Sequence, residues 1–459
     1  MVSTSPGYGI TIRVEGPSAN QPVSALTAVL NTQGASLTAL DIVESSFDRV
    51  VIDITCDTID ADHADRVAKA ISEVPGLKVR KVSDRTFLIH LGGKIEVNSK
   101  VQIKTRDDLS RAYTPGVARV CQAIAADPSD ARRLTIKRNT VAVVTDGSAV
   151  LGLGNIGPAA AMPVMEGKAA LFKRFANIDA WPVCLDTQDV DEIVRTVQII
   201  ATVYGGINLE DISAPRCFEV ERRLRGILDI PVFHDDQHGT AIVVTAALKN
   251  SLKLVKKNIA DVKIVLNGVG AAGTAVARLL YHAGARHMLG FDVDGIIHKD
   301  SPKNDEMRSW FVEISNQENF KGNLSQALVG ADVFIGVSVP NVLAEADLQK
   351  MAKDSVVFAL ANPDPEIDPE VARRYAKVVA TGRSDQPNQI NNVLAFPGVF
   401  RGLLDIGATK ITEDALVAAA DAIANCVRPD QLNESFIIPS VFDPAVTPAV
   451  ASAIKATCR

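Results

Sequence analysis

The sequence predicts an α/β protein in three parts: an N-terminal ferredoxin-like βαββαβ domain, a mixed α/β catalytic domain and a doubly wound Rossmann domain. Three observations predict it. Residues 9–93 run through strand and helix periods in the order strand, helix, strand, strand, helix, strand. From residue 262 onward strands and helices alternate strictly, the pattern of a parallel sheet covered on both faces. Between them, Asp235-Asp236 ends a short apolar run and leads into an apolar helix over 241–248.

In the first part Ile10, Ile12 and Val14 alternate, and 23–30 has helical spacing. Segments 37–43 and 50–54 are strand-like; Val67, Ala70 and Ile71 mark a second helix, and 79–91 extends again. Leu91-Gly92-Gly93-Lys94 reads as the exit linker, so the expected domains are 1–93, 94–250 and 251–459. The middle part is rich in short loops and holds most of the candidate chemistry. The last has expected strands at 264–266, 288–291, 333–337, 356–360 and 378–380, followed by a helical tail.

Composition limits the function. A chain of 459 residues is too long for one core. A 47% hydrophobic and 22% charged composition is that of an ordinary soluble enzyme. The net charge of −6, with no basic block, argues against nucleic acid or an anionic membrane as partner. Six scattered cysteines with no C-x-x-C read as reduced thiols in the cytoplasm, not as a disulfide frame or a zinc site. No secretory signal and no bilayer-spanning run is visible.

Adjacent carboxylates are costly unless a positive charge sits between them. Asp235-Asp236 and Glu210-Asp211 together offer enough hard oxygens for Mg²⁺ or Mn²⁺. The dinucleotide fingerprint occurs twice. Gly152-Leu153-Gly154-Asn155-Ile156-Gly157 runs into Pro158 with no clear helix start, and reads as a tight structural loop. Gly268-Val269-Gly270-Ala271-Ala272-Gly273 follows the strand Lys263-Ile264-Val265-Leu266 and opens a helix, the context the motif requires. Gly268, Gly270, Ala272 and Gly273 are therefore the expected cofactor contacts. Asp292, at the end of the next strand, would accept the adenosine ribose hydroxyls. It would also repel a 2′-phosphate, and neither Asp294 nor His298 supplies a fixed positive charge to neutralise it, so NAD is expected over NADP. Ser338, Asn362 and Gly382 fall at the carboxyl ends of later strands, where such sheets bind ligands.

Several segments resemble the malic enzymes, which oxidise and decarboxylate malate to pyruvate. They are Tyr113-Thr114-Pro115-Gly116-Val117-Ala118, Thr145-Asp146-Gly147, Glu166-Gly167-Lys168-Ala169-Ala170-Leu171-Phe172 and Glu210-Asp211-Ile212. The Asp235-Asp236 segment, Ala361-Asn362-Pro363 and Pro387-Asn388-Gln389-Ile390-Asn391-Asn392-Val393 complete the set, in family order. Residues 1–93 resemble the ACT-type regulatory domain of some bacterial malic enzymes, although Pro22-Val23 stands where the ACT turn usually carries Pro-Gly. The resemblance implies oxidative decarboxylation of L-malate to pyruvate and CO₂ with reduction of NAD. It also implies a need for Mn²⁺ or Mg²⁺ and a homodimer or higher homo-oligomer.

The resemblance also implies residue roles. Lys168 takes the proton of the malate C2 hydroxyl with Asp235 close by, and Tyr113 protonates the enol carbon after CO₂ leaves. Glu210, Asp211 and Asp236 match the metal ligands; Asn362 and Asn392 match amides that contact substrate and nicotinamide. Each has a physical reading beside it. Lys168 opens an apolar stretch, where a helix dipole and desolvation would lower its pKa; the plain alternative is a surface lysine. Tyr113 precedes a helix start with Thr114 as N-cap and Pro115 at the first position; the alternative is a packing tyrosine. The two asparagines could simply cap turns. His234 and His238 flank the carboxylates but lack the pattern of a zinc helix and read as supporting residues. Where many larger malic enzymes carry an arginine that grips a malate carboxylate, this chain has Ala149.

Two rival functions differ in what they need. A metal-independent NAD-dependent hydroxy-acid or amino-acid dehydrogenase would keep the Rossmann half but not the carboxylates. A non-catalytic amino-acid sensor would explain only the first domain.

Overall fold

Alternation along Ile10, Ile12 and Val14 buries one face of the first sheet. The computed structural model describes residues 4–18, 22–150, 152–301 and 306–458, in two units, Met1–Val97 and Asn98–Arg459. The first unit has strands β1 (Ser5–Pro17), β2 (Ser36–Ser45), β3 (Arg49–Thr58) and β4 (Lys78–Asp84). They pair antiparallel in the order β2-β3-β1-β4. Helices Pro22–Gln33 and Ala61–Ser72 supply Leu26, Leu30, Val67 and Ile71 to a core shared with Ile12, Ile52 and Ile54. The extension expected over 79–91 stops early. Asp84 accepts from the N–H groups of Thr86 and Phe87 and so starts a short helix, Arg85–His90.

The second unit holds two sheets. In the first, β5 (Thr140–Thr145), β6 (Asp179–Cys184), β7 (Gly206–Leu209) and β8 (Val232–His234) are all parallel, in the order β6-β5-β7-β8. The central strands β5 and β7 are buried along their whole length, as parallel strands covered on both faces must be, and so is β8 at the edge. In the second sheet the order is β11-β10-β9-β12-β13-β14. Its strands are β9 (Lys263–Asn267), β10 (His287–Asp292), β11 (Gly295–Ile296), β12 (Val333–Gly336), β13 (Val356–Ala359) and β14 (Val378–Thr381). This departs from strict alternation at one edge, where β11 returns antiparallel on β10. A turn of two residues can make only a hairpin, never a parallel crossover.

Helix Thr240–Val255 joins the two sheets and is buried from Ala241 to Leu248, as an all-round apolar sequence requires. The helical tail packs back against the part of the unit built on β5–β8. Helix Phe396–Ile406 sends Phe396 and Phe400 against Phe172, with ring centroids 4.7 and 5.2 Å away, which ties the end of the chain to helix Pro158–Ala176.

Candidate active site

The carboxyl edges of β5, β7 and β8 are adjacent, so the loops that follow them converge. Leu209 hands over to Glu210-Asp211, and His234 to a π-helical turn over Asp235–Gly239. There Glu210, Asp211 and Asp236 each present an oxygen, all within 4.8 Å of one another. Burial, with further repulsion from Asp236, raises the Glu210 carboxyl well above its usual range and takes Asp211 up to about 7. Among the described residues, Asp211 Oδ2, Asp235 Oδ1 and Asn208 Oδ1 are buried without a hydrogen-bond partner. Crowded, buried carboxylate oxygens with unspent lone pairs suit a hard divalent cation, so the donor set fits Mg²⁺ or Mn²⁺. Asn208, which the sequence reading missed, donates to Glu210 Oε2 at 2.8 Å. Its signal was its place two residues before Glu210, on the same side of the chain.

Lys168 lies in the middle of helix Pro158–Ala176 and not at its start, so no terminal dipole acts on it. Its Nζ is 2.6 Å from Asp235 Oδ2 and 2.8 Å from Glu210 Oε1, and lies 4.3 Å over the Phe396 ring. Burial by itself would lower this ammonium, but Asp235 and Glu210 outweigh it and hold it above its ordinary value. The expected lowering is therefore reversed, because the sequence does not show which carboxylates face the helix. The helix also starts where none was expected: Gly157 precedes Pro158 at the first position. The Gly152–157 loop lies against the Asp146-Gly147 segment. A Cβ on Gly147 would stand 2.3 Å from the Gly157 carbonyl oxygen.

Asp235 is fully buried and raised by that burial. Asn392 Nδ2 donates to its Oδ2 at 3.1 Å, while Asn392 Oδ1 accepts from Thr240 Oγ1 at 3.2 Å. The amide of Asn392 is thus spent on Asp235 in this structure. Tyr113 is not brought to the group: it closes helix Arg106–Ala112, is 67% exposed, and its hydroxyl makes no side-chain hydrogen bond among the described residues. The helix start expected at Thr114 and Pro115 falls instead at Val117, after Gly116.

The second fingerprint forms a cradle at the switch point of the second sheet, where β9 and β12 lie side by side. Gly268 takes φ +104°, and a Cβ there would meet the Val337 carbonyl oxygen at 2.6 Å. A Cβ on Gly273 would strike the Gly268 carbonyl oxygen at 2.0 Å. At Gly270 nothing lies within 4 Å, which leaves room for a pyrophosphate at the start of helix Ala271–His282, beginning at Ala271-Ala272. Ser338 Oγ accepts from Asn267 Nδ2 at 2.7 Å across that switch point. Asn362 follows β13 and approaches Gly152, whose Cβ would lie 3.4 Å from the Asn362 carbonyl oxygen. The cradle fits a dinucleotide. Asp294 and His298 supply no partner to Asp292, but a residue distant in sequence does: Arg308 on helix Glu306–Ile314 forms an ion pair with it.

Ala149 contributes only its N–H, donated to the Asp211 carbonyl at 2.9 Å. The guanidinium that does meet this segment is Arg216, whose Nη2 donates to Asp146 Oδ2 at 3.1 Å. His238 Nε2 pairs with Glu221 Oε1 at 2.6 Å, and His234 is fully buried, makes no ring hydrogen bond among the described residues, and has its Nδ1 3.9 Å from Asp236 Oδ2. Neither joins the three-carboxylate group.

Comparison with known proteins agrees with this geometry. The N-terminal domain of malic enzyme matches residues 92–225, and the malic enzyme NAD binding domain matches residues 237–458. An NAD-dependent malic enzyme of Geobacillus stearothermophilus is 56% identical over 97% of this chain and 93% of its own length. A bifunctional malic/malolactic enzyme of Bacillus subtilis is 54% identical over 79% of this chain and 89% of its own. The crystal structure of an NAD-dependent malic enzyme from Thermotoga maritima superposes with a TM-score of 0.78 at 48% identity, covering 81% of this chain and 99% of that one. With both domain families matched in order along the second unit, the chain belongs to the malic enzyme family.

Proposed function

We propose that the protein oxidises L-malate to pyruvate and CO₂ with NAD, assisted by Mn²⁺ or Mg²⁺. The observation that carries this is Lys168, which bridges Asp235 and Glu210 while Glu210 also belongs to the three-carboxylate group. Acid–base group and cation site therefore share one buried carboxylate.

Glu210, Asp211 and Asp236 would hold the cation. Gly268, Gly270, Ala272 and Gly273 would receive the dinucleotide, with Asp292 at the ribose and Ser338 and Asn362 along its length. When bound, the dinucleotide would supply a hydride acceptor and the cation Lewis acidity. Lys168 and Asp235 act as one unit toward the C2 hydroxyl: the ammonium passes a proton to the Asp235 carboxylate across 2.6 Å, and the amine so formed takes the hydroxyl proton in its place. Asn392 donates to the same Asp235 oxygen, Oδ2, that Lys168 meets, and Thr240 in turn donates to Asn392. Loss of CO₂ leaves C3 needing a proton, and Tyr113 is its donor. Support for Tyr113 is its place in the Tyr113-Thr114-Pro115-Gly116 motif and not a contact.

The division 1–93, 94–250, 251–459 assigns the first segment an ACT-like regulatory role, supported by its βαββαβ order. The reading also places a homo-oligomer in the cytoplasm, and six free cysteines support that location. No helix among the described residues is long and apolar enough to cross a membrane. The test is NAD reduction by malate with and without Mn²⁺. A metal-independent dehydrogenase would work equally in chelator, and an amino-acid sensor would not turn over at all.

A further inference from the structure

The turn Asp235–Gly239 has to aim two carboxylates in different directions. Asp235 meets Lys168, whereas Asp236 Oδ2 accepts from the Asp211 N–H at 2.9 Å beside the other ligand candidates. There is no slack in the turn: a Cβ on Gly239 would stand 2.0 Å from Asp235 Oδ1. It is also π-helical, a rare geometry that recurs at functional sites. Mutual repulsion among Glu210, Asp211 and Asp236 pushes the turn away from the cation position, so something must hold it from behind.

That support is a carboxylate on a different element. Helix Arg216–Ile227 presents Glu221, 5% exposed, to the back of the turn. Glu221 Oε1 pairs with His238 Nε2 at 2.6 Å, and its Oε2 accepts from Gln237 Nε2 at 3.3 Å. Two consecutive side chains of the turn thus end on one buried group. Arg225 Nη1 stands 3.6 Å from the same carboxylate, and the Phe233 ring lies 5.4 Å from the His238 ring. Glu221 and His238 also line a cavity of about 580 Å³ bounded by Pro215, Arg216, Arg278 and Leu416. Neither residue is part of the three-carboxylate group, so their effect on a cation must be transmitted through the turn.

We propose that Glu221, acting through His238, is a positioning residue that sets the place of Asp236 and thereby the affinity for the divalent cation. The inference rests on the cation reading of Glu210, Asp211 and Asp236. Partners of this kind, one bond removed from a metal, typically carry a 10- to 100-fold share of affinity.

The test uses the full chain and Mn²⁺ alone, with free Mn²⁺ measured by electron paramagnetic resonance. Glu221→Gln and His238→Gln are each expected to weaken Mn²⁺ binding roughly 10- to 100-fold, and the double variant no more than the worse single. NAD binding should be unchanged, and kcat at saturating Mn²⁺ should fall far less than Mn²⁺ affinity. If the wild type binds Mn²⁺ and both variants bind it equally well, the positioning role is wrong. An equal loss of NAD and Mn²⁺ binding would show a general packing role instead, and would also overturn it. If the wild type itself binds no Mn²⁺, or Asp236→Asn binds as tightly as wild type, the cation reading fails and takes this inference with it. Should Glu221→Gln not fold, His238→Gln decides alone, because the histidine is the more accessible end of the pair.

Discussion

Lys168 Nζ and Asp235 Oδ2 stand 2.6 Å apart inside the protein, one on a helix packed on the β5–β8 sheet and the other on the turn after β8. Asp235 also accepts from Asn392, which lies beyond β14, so parts of both sheets meet on one carboxylate. Replacing Lys168 with alanine removes the proton acceptor and leaves Asp235 and Glu210 facing each other without a counter-charge. Malate oxidation should fall by about 10²–10⁴-fold or more, while NAD binding, measured by fluorescence titration, stays within a factor of two or so of wild type. Near-normal turnover in Lys168→Ala would assign the proton to another group.

Asp292 and Arg308 define a second prediction. The carboxylate favours the hydroxyls of NAD, but the guanidinium paired with it remains if the carboxylate is removed. Wild type should prefer NAD. In Asp292→Ser, NAD affinity should drop by about tenfold and kcat/KM for NADP should rise by a similar factor, on the order of one strong ionic hydrogen bond. Adding Arg308→Ala should cancel the NADP gain. Equal kcat/KM for both cofactors in wild type would contradict the assignment of Asp292.

Much of this site was legible in the sequence, and the exceptions have physical causes. Two adjacent acidic pairs ending short apolar runs are costly enough to stand out, and the glycines at 268, 270 and 273 occur in the strand-to-helix context that gives them meaning. The start of the helix bearing Lys168 was hidden because Pro163 and Gly167 lie inside it and blur the helical period. The first parallel sheet was unresolved because its strands have three to six residues, too few for a period to show. Arg308 and Glu221 were missed for another reason: their importance lies in what they face, and pairing across elements leaves no local spacing signal.

Glu221 makes a prediction about acid stability. Burial would raise its carboxyl, but His238 and Arg225 outweigh that and hold it down at about 2, against 4.5 ordinarily. A carboxyl lowered by folding stabilises the protein above its unfolded pKa, and this contribution is lost as the pH falls through the folded value. Wild type should therefore be more stable than Glu221→Gln near neutrality, by an amount on the order of 3 kcal/mol. The gap should close between pH 4.5 and about 2. Acid-unfolding curves of the two proteins check this; a gap that persists to pH 2 would mean that the Glu221 charge is not its source.

None of the candidate site residues lies in the first unit, Met1–Val97. A chain beginning at Asn98 should keep kcat within a few-fold of wild type, while its association state or its response to small-molecule effectors changes. Sedimentation of both forms, with calorimetry of the full chain and the shortened chain against the twenty amino acids, separates the possibilities. Loss of turnover on shortening would place catalytic support in the first unit.

The most direct measurement concerns Asp236 and the stoichiometry of the reaction. With Mn²⁺, wild type should release one CO₂ and form one NADH for each malate consumed, and both should cease in excess chelator. Asp236→Asn should lower kcat by orders of magnitude, since Lewis-acid stabilisation contributes several kcal/mol. Full activity in chelator, or NADH formed without CO₂, would contradict a cation-assisted decarboxylating oxidation at Glu210, Asp211 and Asp236.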